Sequence, residues 1–356
     1  MHVTQVKRRC VVHVGMDKTG TSSLQATLAA SASTLARLGF HYPLTGRISD
    51  HHLPFAAALG FSKGNDVQVT PGLLDAMREE LAGTQLVPVL STEHFSYSAC
   101  PETIGALREF LAGYDVEIVV FLRNQMNWLV SLYAEAIKWG YVGSCSQYAQ
   151  HYADRLNYLA FLSEWERVFG RERIRVVSYD LQRDTIASFL QILLTDGCSD
   201  RDVALMTQTV NTSPSPVILE AFRQWVEKKP PRRMRNLFKI AHTLPPRVAA
   251  KTLQRLLLDK GGMTNRNAYQ TVLMLSKTRL RGADKHVWPI PGEIMEIIPA
   301  LEESNAEIER RYLNGGKLFP APLVKSAHAH NSKLMNDAEK IRAIVETRKV
   351  LDAVLV

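Results

Sequence analysis

The chain has 356 residues, of which 46% are apolar and 22% are charged, as in a soluble globular protein that can bury a sizeable core. The formal net charge of +8 suits an anionic ligand, a membrane surface or nucleic acid, and equally a basic surface that binds nothing. The four cysteines include no CxxC pair and are too sparse for a disulfide scaffold, which argues against a zinc site and favours a reducing compartment (Cys10, Cys100, Cys145 and Cys198).

The N-terminus reads MHVTQVKRRCVVHVG, and the apolar run before Gly15 is too short for the core of a signal peptide. No run approaches the roughly eighteen apolar residues of a membrane span. These observations predict a cytoplasmic protein.

Short apolar runs alternate with helical patterns in the first half of the chain. The predicted strands are residues 9–14, 86–90, 116–122 and 174–177. An Ala/Leu-rich segment, residues 22–38, predicts a helix directly after the first strand. Short buried strands that alternate with helices indicate an α/β fold with a central parallel sheet flanked by helices. In such sheets, ligands bind beyond the carboxyl ends of the strands.

Strand signals fade in the second half of the chain. We expect residues 200–300 to form a mostly helical subdomain or lid within one domain that covers residues 1–323. Residues 324–356 are expected to form a polar linker and a C-terminal helix.

A loop with two glycines, residues 15–23 (GMDKTGTSS), follows the first strand and opens the helix. Backbone N–H groups at the start of a helix point toward a bound anion, and the helix dipole favours negative charge there. Gly20 allows close approach of the backbone, Lys18 adds a positive charge, and hydroxyl residues follow. The pattern predicts a phosphate-binding site, although a helix N-cap rich in Ser and Thr would look similar.

The loop differs from the nucleoside-triphosphate pattern GxxxxGK[ST]. Gly15 and Gly20 keep the glycine spacing, but Thr21 occupies the position of the lysine. A lysine comes earlier, at Lys18, which argues against triphosphate chemistry because the later lysine binds the β- and γ-phosphates. Asp180 is the strand-end aspartate that could bind magnesium. A nucleotide kinase or NTPase with a deviant loop remains the alternative.

A second candidate anion site follows the strand that ends at Arg123. Ser131 lies eight residues further on, about two turns into the predicted helix. The planar fork of an arginine suits a phosphate, and a serine hydroxyl could complete the site. The alternative is an arginine in a salt bridge and a serine that faces a neighbouring side chain.

The sequence HVGMDKTGTSSLQ resembles the 5′-phosphosulfate loop of sulfotransferases that use 3′-phosphoadenosine 5′-phosphosulfate (PAPS), whose core is [PH]K[ST]GTT followed by an apolar residue. Asp17 replaces the usual Pro or His, and Ser22 replaces a threonine but keeps the hydroxyl. The resemblance implies that the 5′-phosphosulfate is held by Lys18, Thr19, Gly20, Thr21, Ser22 and Ser23.

The second segment is similar to the 3′-phosphate site of the same family, which implies that Arg123 and Ser131 bind that phosphate. Weaker similarities to bacterial, carbohydrate-type members lie at residues 178–180, 304–305 and 311–313. The resemblance implies a P-loop-type sulfotransferase fold and PAPS as co-substrate, in a reaction that requires no metal.

Sulfuryl transfer needs a base that removes the proton of the acceptor and a cation that stabilises the leaving phosphate. Lys18 is the candidate cation. Glu93, at a predicted strand end, is the first candidate base, followed by His52 and His51 in the sequence SDHHLPF. The alternatives are a salt bridge or cap for Glu93 and an ordinary exposed loop for the two histidines.

The expected acceptor is a hydroxyl or amine of a glycan, a glycolipid or a small molecule, and nucleic acid is not expected because no nucleic-acid-reading motif is present. The basic stretch from Lys228 to Lys239 (KKPPRRMRNLFK) could contact a membrane surface, or form a solvated face. Trp128, Trp139 and Trp225 could stack on a sugar ring, although tryptophans are more often core residues.

A non-catalytic nucleotide-binding protein is a third interpretation of the sequence, besides the sulfotransferase and the nucleotide kinase or NTPase.

Overall fold

The computed structural model describes residues 7–62, 67–97, 99–138, 141–182, 184–194, 216–228, 288–334 and 336–355. These residues divide into two compact units. The sheet unit comprises the described residues of 7–124, 157–194 and 303–320. The helical unit comprises the described residues of 125–156, 216–302 and 321–355.

The sheet unit contains five parallel strands in the order β2-β3-β1-β4-β5. The strands are β1 (Arg8–Val14), β2 (Phe40–His41), β3 (Val87–Thr92), β4 (Tyr114–Leu122) and β5 (Ile174–Ser178). The expected central parallel sheet is confirmed, with strand ends that differ from the sequence prediction by one or two residues. The two-residue strand β2 is an addition that its short sequence did not reveal.

The sheet forms because its central strands are apolar and rich in β-branched residues, which suits strands that are covered on both faces. Val11 and Val119 are fully buried and pack in one core with Leu24, Leu28 and Phe189 from the helices on that face. β1 and β3 end level, because Val14 pairs with Thr92, and β4 and β5 end level two residues further on, because Val14 pairs with Val120 and Leu122 pairs with Ser178. The loops that follow these strands therefore leave from one edge of the sheet.

The helices of the sheet unit before Asn124 are α1 (Thr21–Ala30), α2 (Ala32–Arg37), α3 (Leu53–Ala58), α4 (Leu73–Ala82) and α5 (Pro101–Phe110). The single helix expected over residues 22–38 is instead two helices, α1 and α2, that meet at Ser31. The serines in this stretch are weaker helix formers than the alanines and leucines around them, because their hydroxyls compete for backbone hydrogen bonds.

Further along the chain, the structure has the helices α6 (Gln125–Lys138), α7 (Cys145–Tyr152), α8 (Tyr158–Phe169), α9 (Thr185–Leu193), α10 (Pro216–Lys228), α11 (Gly292–Tyr312), α12 (Leu323–Ser332) and α13 (Asp337–Leu355). Two of these, α8 and α9, belong to the sheet unit, as do the last residues of α11. In the described parts of the chain, no helix is both long enough and apolar enough to cross a membrane.

The C-terminal region differs from the expected polar linker and single helix, because α12 precedes the last helix. Leu323, Ala327 and His330 are buried in α12 at helical spacing, which stabilises this polar segment as a helix. His330 Nε2 also lies 2.7 Å from the Trp288 carbonyl oxygen, and Asn331 accepts a hydrogen bond from the Ile290 N–H.

Several predictions for the second half concern residues outside the described ranges. Residues 229–239 of the basic stretch lie there, as does most of the expected subdomain over residues 200–300 and Trp139. The other two candidate sugar-stacking residues, Trp128 and Trp225, are buried in the helical unit, which is the core role that was the alternative.

Candidate functional site

Four loops of the sheet unit leave the carboxyl edge of neighbouring strands. The glycine loop follows β1, Glu93 follows β3, Arg123 follows β4 and Tyr179 follows β5. Because these strands are adjacent in the order β3-β1-β4-β5, the candidate residues lie side by side along this edge. We call this group of loops the edge site.

The glycine loop has an unusual backbone. Lys18 adopts a left-handed conformation with a φ of 61°, and Gly20, which precedes α1, has a φ of 81°. A left-handed lysine is uncommon, and such residues concentrate at functional sites where the surrounding structure enforces them. Arg123 contributes to that enforcement, because its Nη1 donates a hydrogen bond of 2.8 Å to the Lys18 carbonyl oxygen.

The threonines of the loop face inward. Thr19 Oγ1 and Thr21 Oγ1 donate to the Met16 carbonyl oxygen at 2.7 and 2.8 Å, and both residues are buried. Their hydroxyl protons therefore hold the loop in shape, and the part that these two residues take in holding a phosphosulfate stays a prediction. Ser22 is exposed and Ser23 is half-buried at the start of α1.

The loop packs closely against the segment that carries the candidate base. The Gly15 N–H donates to the Thr92 carbonyl oxygen at 3.2 Å. A Cβ atom at Gly15 would lie 2.6 Å from Thr21 Cγ2 and 3.1 Å from the Glu93 nitrogen. Only glycine fits at this position without displacing the backbone of one of the two loops.

The loop and the start of α1 have the chemistry of an anion site. No side-chain hydrogen bond caps the start of α1. The positive end of the helix dipole lies there, and Lys18 brings a positive charge to the same loop. These features fit a phosphate or phosphosulfate group.

Arg123 joins three parts of the edge site. Besides its bond to Lys18, its guanidinium lies 5.1 Å from the centre of the Tyr179 ring, and its carbonyl oxygen accepts a 2.8 Å hydrogen bond from Tyr158 Oη. Its Nε atom is buried and has no hydrogen-bond partner among the described residues. A buried donor without an acceptor is costly, which suits a site where an anionic ligand supplies the acceptor.

Two other predicted residues have different surroundings. Ser131 lies half-buried about two turns into α6, which starts at Gln125, but α6 belongs to the helical unit, and the pairing of Ser131 with Arg123 stays a prediction. Asp180 Oδ2 accepts a 2.5 Å hydrogen bond from the Asn124 N–H. One oxygen of the candidate magnesium ligand is thus bound to the backbone. No cluster of three or more metal-binding side chains occurs among the residues that the structure describes.

Glu93 begins a short 3-10 helix, Glu93–Ser96, directly after β3, and its side chain is 21% exposed. Gln25 Nε2 donates to Glu93 Oε2 at 3.2 Å, and His51 Nδ1 lies 3.8 Å from the same oxygen. Burial alone would raise the pKa of Glu93, but the His51 and Gln25 side chains outweigh that effect and lower the pKa to about 2. Glu93 is therefore a carboxylate at neutral pH.

His52 occupies a different environment from its neighbour. Its side chain is fully buried, its Nδ1 accepts a hydrogen bond from the Ser91 N–H, and its Nε2 lies 3.1 Å from the Pro43 carbonyl oxygen. Burial lowers the pKa of His52 to about 4, so the ring is neutral. With both ring nitrogens bound to the backbone, His52 has no lone pair for an acceptor proton. This geometry argues against His52 as the base and leaves Glu93, with His51 beside it.

Sequence reasoning missed the residues that hold the candidate groups in place, among them Gln25, Tyr158 and Tyr179. The signal for Gln25 was present, because a polar residue one turn after Thr21 faces the same side of α1 and is 2% exposed. The contacts of Tyr158 and Tyr179 with Arg123 depend on strand order, which the sequence alone did not give.

No protein-family model and no curated protein sequence matches the chain. Among solved structures, the chain is similar to a sulfotransferase from Alicyclobacillus acidocaldarius, with 17% sequence identity and a TM-score of 0.37, over 70% of this chain and 97% of that chain. A likeness this distant carries no argument about activity, which has to be inferred from the residues of the site.

Proposed function

We propose that the protein is a sulfotransferase that moves the sulfuryl group of PAPS to a hydroxyl or amine of an acceptor. The observation that carries the proposal is the glycine loop itself, in which Arg123 binds the carbonyl oxygen of a left-handed Lys18 and Gly15 lies against the segment of Glu93. The sequence of this loop resembles the 5′-phosphosulfate loop of the family. Its backbone, its cation and the uncapped start of α1 fit that group.

Different residues of the edge site would bind different groups of the nucleotide. The N–H groups at the start of α1, with Lys18, Ser22 and Ser23, would hold the 5′-phosphosulfate. Thr19 and Thr21 would act indirectly, since their hydroxyls shape the loop. Arg123 is suited to the 3′-phosphate because its buried Nε has no acceptor among the described residues.

PAPS supplies an activated sulfuryl group that is bonded to an oxygen of its 5′-phosphate. In the proposed transfer, the acceptor oxygen or nitrogen forms a bond to sulfur while the bond from sulfur to that phosphate oxygen breaks. Glu93 accepts the proton of the acceptor, and Lys18 stabilises the charge that develops on the leaving phosphate.

The low pKa of Glu93 makes it a weak base in the structure as it stands. A nucleotide that carries several negative charges in the adjoining loop would raise that pKa, because like charges disfavour the ionised form. Binding of the nucleotide is thus expected to make Glu93 a stronger base. The three groups act mainly through position and charge, as in phosphoryl transfer.

The acceptor class rests on the resemblance to carbohydrate-type members, and we propose a carbohydrate or glycolipid. A cytoplasmic location and a membrane contact through the basic stretch stay predictions. The nucleotide kinase is the alternative that a binding experiment separates, whereas the non-catalytic binding protein is separated by a measured transfer to an acceptor.

The test is calorimetric binding of 3′-phosphoadenosine 5′-phosphate, the product nucleotide, with ATP and Mg²⁺ as the comparison ligand. We expect binding of the product nucleotide that exceeds that of ATP and weakens about 10- to 100-fold in Arg123→Ala, since a hydrogen bond to a charged group contributes about 1.5–3 kcal/mol. Arg167→Ala, which removes an exposed arginine on α8, is the matched control. Preference for ATP, or an unchanged affinity in Arg123→Ala, would contradict the proposal.

A further inference from the structure

Gln25 links the glycine loop to the candidate base. It lies on α1, one turn after Thr21, and is 2% exposed. Its amide Nε2 is 3.2 Å from Glu93 Oε2 and 3.4 Å from Ser91 Oγ. The helix whose start forms the candidate anion site therefore also carries a donor to Glu93.

The hydrogen bonds of Gln25 continue through Ser91 into the core. Ser91 Oγ lies 2.8 Å from His13 Nδ1, and His13 is 1% exposed, with its ring against those of Phe121 and Phe189. An amide nitrogen only donates, so Gln25 gives one hydrogen to Glu93 and one to Ser91. The Ser91 hydroxyl is then free to donate to His13 Nδ1. With this direction of donation, Gln25 holds Glu93 by a hydrogen bond, but the hydrogen bonds through Gln25 and Ser91 cannot pass a proton from Glu93 to His13.

The two carboxylate oxygens of Glu93 differ in their surroundings. Oε2 is bound by Gln25 and lies near His51. No hydrogen bond joins Oε1 to another of the described residues, and the side chain is partly exposed. Oε2 is thus the oxygen that a neighbouring side chain anchors.

We propose that Gln25 is a positioning residue, which anchors one oxygen of Glu93 so that the other oxygen takes the proton of the acceptor. This inference rests on the proposed function, in which Glu93 is the base. It assigns to α1 a second role, since the same helix would hold the donor phosphate and orient the base.

The charged or titratable groups around Glu93 come from three segments besides its own. His51 approaches from the loop after β2, His13 couples to Glu93 electrostatically from β1, and Tyr42 does so from the end of β2. Gln25, in contrast, is neutral and does not titrate, so a substitution of Gln25 alters the hydrogen bonding of Glu93 without removing a charge.

The experiment measures the titration of Glu93 directly in the full-length protein. Glutamate labelled with ¹³C at the carboxyl carbon is followed by NMR, and Glu93→Gln assigns the signal. In Gln25→Glu, two carboxyl groups would lie about 3 Å apart and could not both ionise, so we expect one carboxyl with a pKa about two units or more above the ordinary value near 4.3. Ala30→Glu, at the exposed end of the same helix, is the control and should add one ordinary carboxyl.

Gln25→Leu is the second variant, in case the paired carboxylates prevent folding. Loss of the donor should raise the pKa of Glu93 by about one to two units. Thr27→Val, a buried change on another part of α1, should leave it unchanged. Both Gln25 variants should bind 3′-phosphoadenosine 5′-phosphate within about threefold of the wild type. For Gln25→Glu, this comparison is made at a pH where the site carries the same net charge in the variant as in the wild type.

The outcomes separate this inference from the proposed function. If the wild type binds the nucleotide but the pKa of Glu93 is the same in the wild type and in both Gln25 variants, the positioning role of Gln25 is wrong and the proposed function stands. If the wild type does not bind the nucleotide, the proposed function fails first.

Discussion

The glycine loop and the segment of Glu93 lie next to each other but are held in different ways. The loop takes its shape mainly from its own residues, since Gly20 and Lys18 adopt left-handed conformations and the threonine hydroxyls bind Met16 within the loop, with one further hydrogen bond from Arg123 to the Lys18 carbonyl oxygen. Glu93 is held by side chains that come from other elements, Gln25 and His51. The first region depends on backbone geometry and the second on long-range hydrogen bonds. Substitutions in the loop should therefore reduce nucleotide affinity, whereas substitutions around Glu93 should reduce the rate of transfer.

The largest effect is expected for Glu93→Gln, which keeps the shape of the side chain and removes its basicity. Transfer to an acceptor should fall about 10²- to 10⁴-fold, the usual contribution of a general base, and binding of 3′-phosphoadenosine 5′-phosphate should persist. The measurement is the initial rate with PAPS and a panel of carbohydrate acceptors, together with calorimetry.

Glu79→Gln is the matched control, because Glu79 is exposed on α4. Full activity in Glu93→Gln would move the role of base to His51, which is the next group along this edge. Loss of nucleotide affinity in the same variant would instead show that the two regions are not separable in the way proposed.

A second difference between the regions is their expected response to pH. The segment that leads to Glu93 is supported by His52, which binds the backbone of Ser91, and by His13, which contacts the Ser91 hydroxyl. Burial lowers the pKa of each histidine to about 4, against about 6.5 in the unfolded chain. Between these values the unfolded state binds more protons, so stability is complete above about pH 6.5 and declines as the pH falls toward 4.

Each of the two histidines should lower the free energy of unfolding by about 2 kcal/mol between pH 7 and pH 5. Urea denaturation at several pH values measures this slope. His52→Gln keeps a donor toward Pro43 but cannot titrate in this range, so it should be less stable at pH 7 and show a shallower slope. The exposed His151→Gln should keep the slope of the wild type. An unchanged slope in His52→Gln would indicate that His52 is protonated in the folded protein.

The same contrast explains which parts of the molecule could be predicted from sequence. The strand, the loop and the start of the helix around Gly15 and Gly20 form a local pattern, and the structure has these three within one residue of the expected places. The support of Glu93 could not be found in this way, because Gln25 and His51 are far from Glu93 in the chain and meet it only once β3 lies between β1 and β2. The surroundings of His52 could not be predicted for the same reason, since they depend on contacts with Ser91 and Pro43.

The smallest effect, and the sharpest control, concerns two equivalent glycines. Gly20 and Gly72 each precede a ten-residue helix, with φ values of 81° and 77°. A Cβ at Gly20 would lie 3.2 Å from Thr185 Oγ1, whereas a Cβ at Gly72 would meet nothing within 4 Å. Alanine in a left-handed conformation costs about 1–2 kcal/mol, so both Gly20→Ala and Gly72→Ala should lose about that much stability.

Only Gly20→Ala should also weaken binding of 3′-phosphoadenosine 5′-phosphate, by about tenfold, because relief of the strain would turn the first N–H groups of α1 away from the phosphate. Thermal denaturation and calorimetry on the two variants measure both quantities. Equal nucleotide affinities in the two variants would mean that the backbone of the glycine loop does not form the binding site. A loss confined to Gly20→Ala would separate the effect of the loop from that of a strained helix start, since the matched glycine carries the same strain.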